Sequence, residues 1–317
     1  MHRDNGHFSN AGLFNGSGGL VWALSDFALW DDGLVPLFDR TARRWLDAVA
    51  LPPAADARPD QVDLFDGVSG RLVIMAALAV SEALSPAVAA QARARLRAER
   101  DWLATVASRR PAPWFVPARL MGDAPEEIHP DYRFGQFPVG AAHGAAGLLV
   151  GLSAAHRILP TTVVADLLGE ILTWIIDHAV LADGTFAGAV GASDDGCPDE
   201  RRKVTTPMSW CNGSDAIAVA VREAAGVTGH AAALAAAGDA LRAASGSAYP
   251  AWPGLCHGRD GGALLRQAAA ARPQSPVPGP QPDRHDDHSL ASGCAAGVQV
   301  HIAARTGRAP VETVMRP

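Results

Sequence analysis

Ala142-His143-Gly144-Ala145-Ala146-Gly147 runs without a break into the apolar stretch 148–152, and this junction of glycine turn and helix decides the fold. A glycine has no side chain to hold neighbouring backbone away, so a helix that starts at one can lie close against other segments. The stretch that follows is apolar nearly all round, as suits a helix covered on every side. His143 stands inside the turn.

The same pattern recurs along the chain, which marks a repeat architecture. Upstream, Gly12-Leu13-Phe14-Asn15-Gly16-Ser17-Gly18-Gly19 precedes 20–24, and Leu64-Phe65-Asp66-Gly67-Val68-Ser69-Gly70 precedes 72–78. Downstream, Trp210-Cys211-Asn212-Gly213-Ser214-Asp215-Ala216 precedes 217–221. Two further copies are Leu255-Cys256-His257-Gly258-Arg259-Asp260-Gly261 and Leu290-Ala291-Ser292-Gly293-Cys294-Ala295-Ala296-Gly297. Between copies lie the segments 37–49, 85–108, 161–180 and 229–245, in which charged and apolar residues interleave at helical spacing. They read as outer helices covering an inner ring. The expected fold is all-α: an α/α toroid, a double ring of inner and outer helices.

One domain spanning 1–317 accommodates this pattern, with a Pro-rich loop at 272–288 that includes Pro273, Pro276, Pro278, Pro280 and Pro282. That loop fills most of the shortest gap, from Gly258 to Gly293, so the ring is expected to lack an outer helix there and to be incomplete. Hydrophobic residues make up 48 % of the chain and the formal net charge is −6, which leaves no basic field for nucleic acid or an anionic membrane. The longest apolar run, 72–80, is too short for a membrane span, and residues 1–10 carry no apolar signal core. Four cysteines do not suggest a disulfide framework in a chain this long. These features point to a cytoplasmic, reducing location.

Three turns carry chemistry. Cys211 precedes Gly213, the Cys256-His257 pair precedes Gly258, and His143 precedes Gly144. Equivalent turns of a ring converge on one end of its central cavity, so two thiolates and an imidazole can meet there. They would leave one tetrahedral position of a zinc ion open, the arrangement of catalytic zinc. The alternative is that Cys211 and Cys256 are small buried apolar groups and His257 a helix-start residue. His143 reads either as an acid or base near the metal or as a helix N-terminal residue bonded to backbone. Asp63, four residues before Gly67, reads as a site carboxylate or a solvated loop acid, with Asp66 the better N-cap. His285, Asp286, Asp287 and His288 read as a solvated linker, and Cys197 and Cys294 lack ligand partners at useful spacing.

Trp210-Cys211-Asn212-Gly213, Cys256-His257-Gly258 and Ala142-His143-Gly144-Ala145-Ala146-Gly147 together resemble the signatures of lanthionine synthetase C-like (LanC) cyclases, in the same order along the chain. The resemblance runs from about Gly12 to Gly307. It implies an α/α toroid with one zinc ion per chain held by Cys211, Cys256 and His257, with His143 as general acid/base and Asp63 as a second catalytic residue. It implies that a cysteine thiol of a dehydrated lanthipeptide precursor adds to dehydroalanine or dehydrobutyrine, giving a thioether ring. Dehydration would fall to a separate dehydratase or kinase/lyase. Pro207 stands where family members often carry an arginine, and Arg201, Arg202 and Lys203 are the nearest basic residues. That departure keeps open a LanC-like zinc-binding scaffold or regulatory protein without cyclase activity. An unrelated toroid hydrolase of the glycosidase kind needs two cavity carboxylates, and Asp63 has no partner on an equivalent turn.

Overall fold

The computed structural model describes residues 10–14, 16–109, 112–122, 124–245, 256, 261–262 and 265. The turn around Gly293, the Pro-rich loop 272–288, the 285–288 cluster, Cys294 and His257 lie outside the described residues.

Four inner helices each begin at a glycine turn. They are α1 (Ser17–Phe27), α4 (Val68–Val80), α7 (Ala145–Ile158) and α9 (Ser214–Thr228), with Gly16, Gly67, Gly144 and Gly213 as their N-caps. Four outer helices return alongside them: α2 (Val35–Ala48), α5 (Pro86–Ala107), α8 (Thr162–Ala179) and α10 (Ala231–Ala244). Each inner helix packs on the outer helix that follows it. Inner neighbours pack in the order α1, α4, α7, α9, and outer neighbours in the order α2, α5, α8, α10. The fold is therefore an all-α toroid of two concentric layers. Gly261, Gly262 and Leu265 are helical and buried after the fifth turn.

Burial follows from the sequence pattern. Every residue of α4 except Ala77 and Val80 is buried, whereas the outer α2 buries only Phe38, Ala42, Trp45 and Leu46, at helical spacing. Ion pairs tie buried charges within and between layers. Arg71 of α4 donates to Glu99 of α5 at 2.9 Å, and Arg157 of α7 donates to Glu223 of α9 at 2.8 Å. Among the described residues no helix is long and apolar enough to cross a membrane.

The turn glycines are required by space, not by an unusual backbone angle. Gly144 and Gly67 sit in extended conformation, which any residue adopts, but a Cβ on Gly144 would lie 2.4 Å from the Pro138 carbonyl oxygen. Deeper in α7, a Cβ on Gly151 would meet the Ser69 Cα of α4 at 2.6 Å. Alanine ordinarily stabilises a helix interior over glycine by about 1 kcal/mol. Here Gly151→Ala must push two inner helices apart, and we expect it to destabilise the fold by about 1–3 kcal/mol. A lowered urea midpoint checks this; an unchanged or raised midpoint contradicts the close α4–α7 contact.

A four-stranded antiparallel sheet, not expected from the sequence, joins two of the turns. Its strands, in spatial order, are β1 (Val116–Pro117), β2 (Gly135–Pro138), β3 (Ala189–Ala192) and β4 (Pro198–Val204). β2 pairs Phe137 with Val190, and β3 pairs Ala189 with Val204. The backbone N–H groups of Val139 and Gly140 then donate to Gly188, so the sheet runs directly into the His143 turn. Two short helices, α3 (Pro59–Val62) and α6 (Pro125–Ile128), lie in the connections, with α3 delivering Asp63 as its C-cap.

Candidate active site

The turns are stitched to one another by backbone hydrogen bonds whose acceptor position is constant. Phe14 N–H donates to Phe65 O (3.1 Å), Leu64 to Ala142 (3.1 Å), Ala142 to Cys211 (2.9 Å) and Trp210 to Cys256 (3.0 Å). The acceptor is in every case the residue two positions before the next turn's glycine. Phe14, Phe65, Ala142, Cys211 and Cys256 each stand two before their turn's glycine, and these bonds make the five turns successive neighbours. The repeat that was legible as glycine spacing is the same repeat that brings distant side chains to one rim.

On that rim His143 Nδ1 lies 2.6 Å from Asp63 Oδ2. The other Asp63 oxygen accepts from the backbone N–H groups of Asp66 (2.8 Å) and Gly67 (2.9 Å), which fixes the carboxylate. Asp63 is 4 % exposed and His143 54 % exposed, so a buried carboxylate holds an open imidazole by one nitrogen and leaves the other free for chemistry. Two of the alternatives fail here. Asp63 is not a solvated loop acid, and the His143 ring is bonded to a carboxylate, not to backbone. A correction applies to Asp66: the α4 N-cap is Gly67, with no side-chain cap bond, and the Asp63 carboxylate takes the N–H groups of Asp66 and Gly67 just before the helix.

The hydrogen bond to Asp63 raises the His143 pKa above the ordinary imidazole value; burial opposes this, while the charges of Asp63, Asp66 and Cys211 add to it. A folded-state pKa above the unfolded one makes the pair stabilising below the ordinary imidazole pKa. That stabilisation is lost as pH rises through the raised value. Asp63→Asn is therefore expected to bring the His143 titration back down towards about 6.5. Imidazole NMR shifts across pH measure it, and an unmoved titration would show that Asp63 does not act on the ring.

Cys211 is buried and Cys256 half-buried, and their thiols are hydrogen-bonded to each other. That bond, then burial, then the charge of Cys211 push the Cys256 thiol far above the ordinary thiol range. Two sulfurs this close cannot both shed protons unaided, and a dication between them removes the penalty. The donor pair therefore suits zinc, with Cys211, Cys256 and His257 as the residues that would hold it. Among the described residues no group of three His, Cys, Asp or Glu is placed to hold a metal. The third expected ligand, His257, is outside them.

The basic residues near Pro207 do not turn towards the thiols. Arg201 and Arg202 both bind Asp199, and Lys203 donates to the Val180 carbonyl at 2.8 Å. Cys197 is exposed and free. Sequence reading missed Phe14 and Phe65 as rim residues. Aligning the position two before each turn glycine would have placed both beside Cys211 and Cys256.

The chain is thus a two-layered helical toroid with a carboxylate–imidazole pair and two facing thiols on neighbouring turns. The lanthionine synthetase C-like protein family model matches residues 4–271, and the chain belongs to that family. The solved structure of nisin cyclase is similar in fold, with a TM-score of 0.59 and 15 % sequence identity, covering 94 % of this chain and 70 % of that one. Comparison with the curated proteins gives no match.

Proposed function

We propose that this chain is a zinc-dependent lanthipeptide cyclase. It would join a cysteine thiol of a dehydrated precursor peptide to dehydroalanine or dehydrobutyrine, forming lanthionine-type thioether rings. The observation that carries this reading is the Asp63–His143 pair on the turn next to Cys211, with the Cys256 thiol bonded to Cys211 from the turn beyond. Zinc held by Cys211, Cys256 and His257 would act as a Lewis acid that lowers the pKa of the incoming thiol.

Addition forms the new sulfur–carbon bond at the alkene β-carbon and moves the π electron pair towards the neighbouring carbonyl. The α-carbon then needs a proton, and the thiol has released one. His143 is suited to deliver it, because Asp63 holds Nδ1 and raises the proton affinity of the ring while Nε2 remains available. Burial of Asp63 keeps the carboxylate from competing for the substrate. The partner is the dehydrated precursor, prepared by a separate dehydratase or a kinase/lyase.

Incubating the purified protein with a dehydrated precursor tests the proposal by mass spectrometry after thiol alkylation. Thioether formation well above the uncatalysed rate is expected; formation no faster than in buffer contradicts it. A zinc-binding scaffold without cyclase activity is the second reading. It is favoured by Pro207 and by the engagement of Arg201, Arg202 and Lys203 elsewhere. Bound zinc with no rate enhancement would select it.

A further inference from the structure

The place two before the turn glycine carries thiols in two turns, phenyl rings in two others and Ala142 between them. Cys211 and Cys256 occupy the place two before the glycine in their turns, and Phe14 and Phe65 occupy that same place in theirs. The two phenyl rings stack with centroids 4.6 Å apart and planes 13° from parallel. Phe14 also meets Trp210 at 4.8 Å, beside Cys211, and Phe65 meets the His143 ring at 5.2 Å. Both phenyl side chains are only half-buried although they pack against the core. A pair of aromatic rings that a purely structural role would bury instead keeps surface open at the edge of the acid–base pair.

We propose that Phe14 and Phe65 form a subsite that seats an apolar side chain of the peptide next to its reacting dehydrated residue. The proposal rests on the cyclase reading for the identity of the peptide. The stacked rings, held between Trp210 and His143, give an apolar group a pre-ordered apolar edge, and a charged group there would lose water with no partner among the rings. The contact of Phe65 with His143 means that whatever covers the rings lies beside the imidazole. The subsite therefore sets which residue of the precursor is presented there. It is a specificity element for apolar neighbours such as leucine over acidic ones such as aspartate.

Two short peptides test this. Each carries alanine in place of the dehydrated residue, so that neither can react, and they differ only in leucine or aspartate at the adjacent position. Titration calorimetry on the wild type is expected to show about 10–100-fold tighter binding of the leucine peptide, the range a single apolar pocket delivers. The Phe14→Ala/Phe65→Ala double variant is expected to bind the two peptides about equally, whereas Phe65→Leu, which keeps an apolar surface, retains the preference. Contacts from the leucine methyl groups to the Phe14 and Phe65 rings, read as intermolecular NOEs in the wild type, provide a measurement that needs no variant to fold. Absence of the preference in the wild type, its survival in the double variant, or NOEs to other residues alone would each overturn the proposal. Cyclisation of the matching dehydrated peptides reports separately on the reaction. Preference with no cyclisation would overturn the cyclase reading and leave the subsite standing, and cyclisation with no preference would do the reverse.

Discussion

Cys256→Ala is expected to lower bound zinc from about one ion per chain to a trace and to reduce thioether formation to the rate in buffer. The reason lies in how the ligands are brought together. Cys256 is tied to its neighbour by the bond from Trp210 N–H to its own carbonyl at 3.0 Å, a backbone contact that alanine preserves. The variant thus removes one sulfur and leaves the turn in place. With Cys211 and His257 alone the ion loses half its anionic charge compensation, and the affinity falls steeply. Metal analysis together with circular dichroism checks the outcome: zinc lost with helicity kept is the expected pair of results. Retained zinc would show that the ion sits elsewhere.

His143→Ala is expected to behave oppositely. Zinc content should stay as in the wild type, while cyclisation slows by about 10²–10⁴-fold, the usual contribution of a positioned acid or base. Asp63 holds the ring by Nδ1 at 2.6 Å and the zinc would be held by Cys211, Cys256 and His257, so removing the imidazole should leave the metal residues in place. The pH dependence gives a second readout. A proton donor must be protonated, so the rate should fall as pH rises through the raised His143 pKa, and in Asp63→Asn that fall should begin at lower pH. Loss of zinc in His143→Ala would instead make His143 a ligand, and an unchanged rate would remove it from the reaction.

The parts of this protein that were legible in its sequence are those where physics leaves a compositional mark. Gly67, Gly144 and Gly213 are required by backbone approaching within reach of a missing Cβ, and that demand shows as a repeated turn. The outer helices were legible because Phe38, Ala42, Trp45 and Leu46 recur on one face between charged residues. The sheet left no such mark. β1 is two residues long, β3 reads Ala-Val-Gly-Ala and is buried on both faces, and β4 carries Asp199 to Lys203 in unbroken polar succession.

The site was half legible. Cys211 and His143 stand in turns that announce themselves, and the resemblance to a known family supplied Asp63. The direct bond between Asp63 and His143 spans 80 residues of sequence and depends on the stitching of neighbouring turns, which spacing alone does not encode. The aromatic rim was missed for a related reason: Phe14 and Phe65 look like ordinary core residues until the turns are put in register.

The account stands on a sulfur-rich zinc centre with one position open to a substrate thiol, and X-ray absorption at the zinc edge of the purified protein examines that directly. Two sulfur scatterers at about 2.3 Å and one imidazole nitrogen at about 2.0 Å are expected, with a fourth, light ligand that is replaced by a third sulfur when a cysteine-containing precursor is added. A zinc spectrum without sulfur, or one already saturated with four protein ligands and unchanged by the peptide, would contradict it.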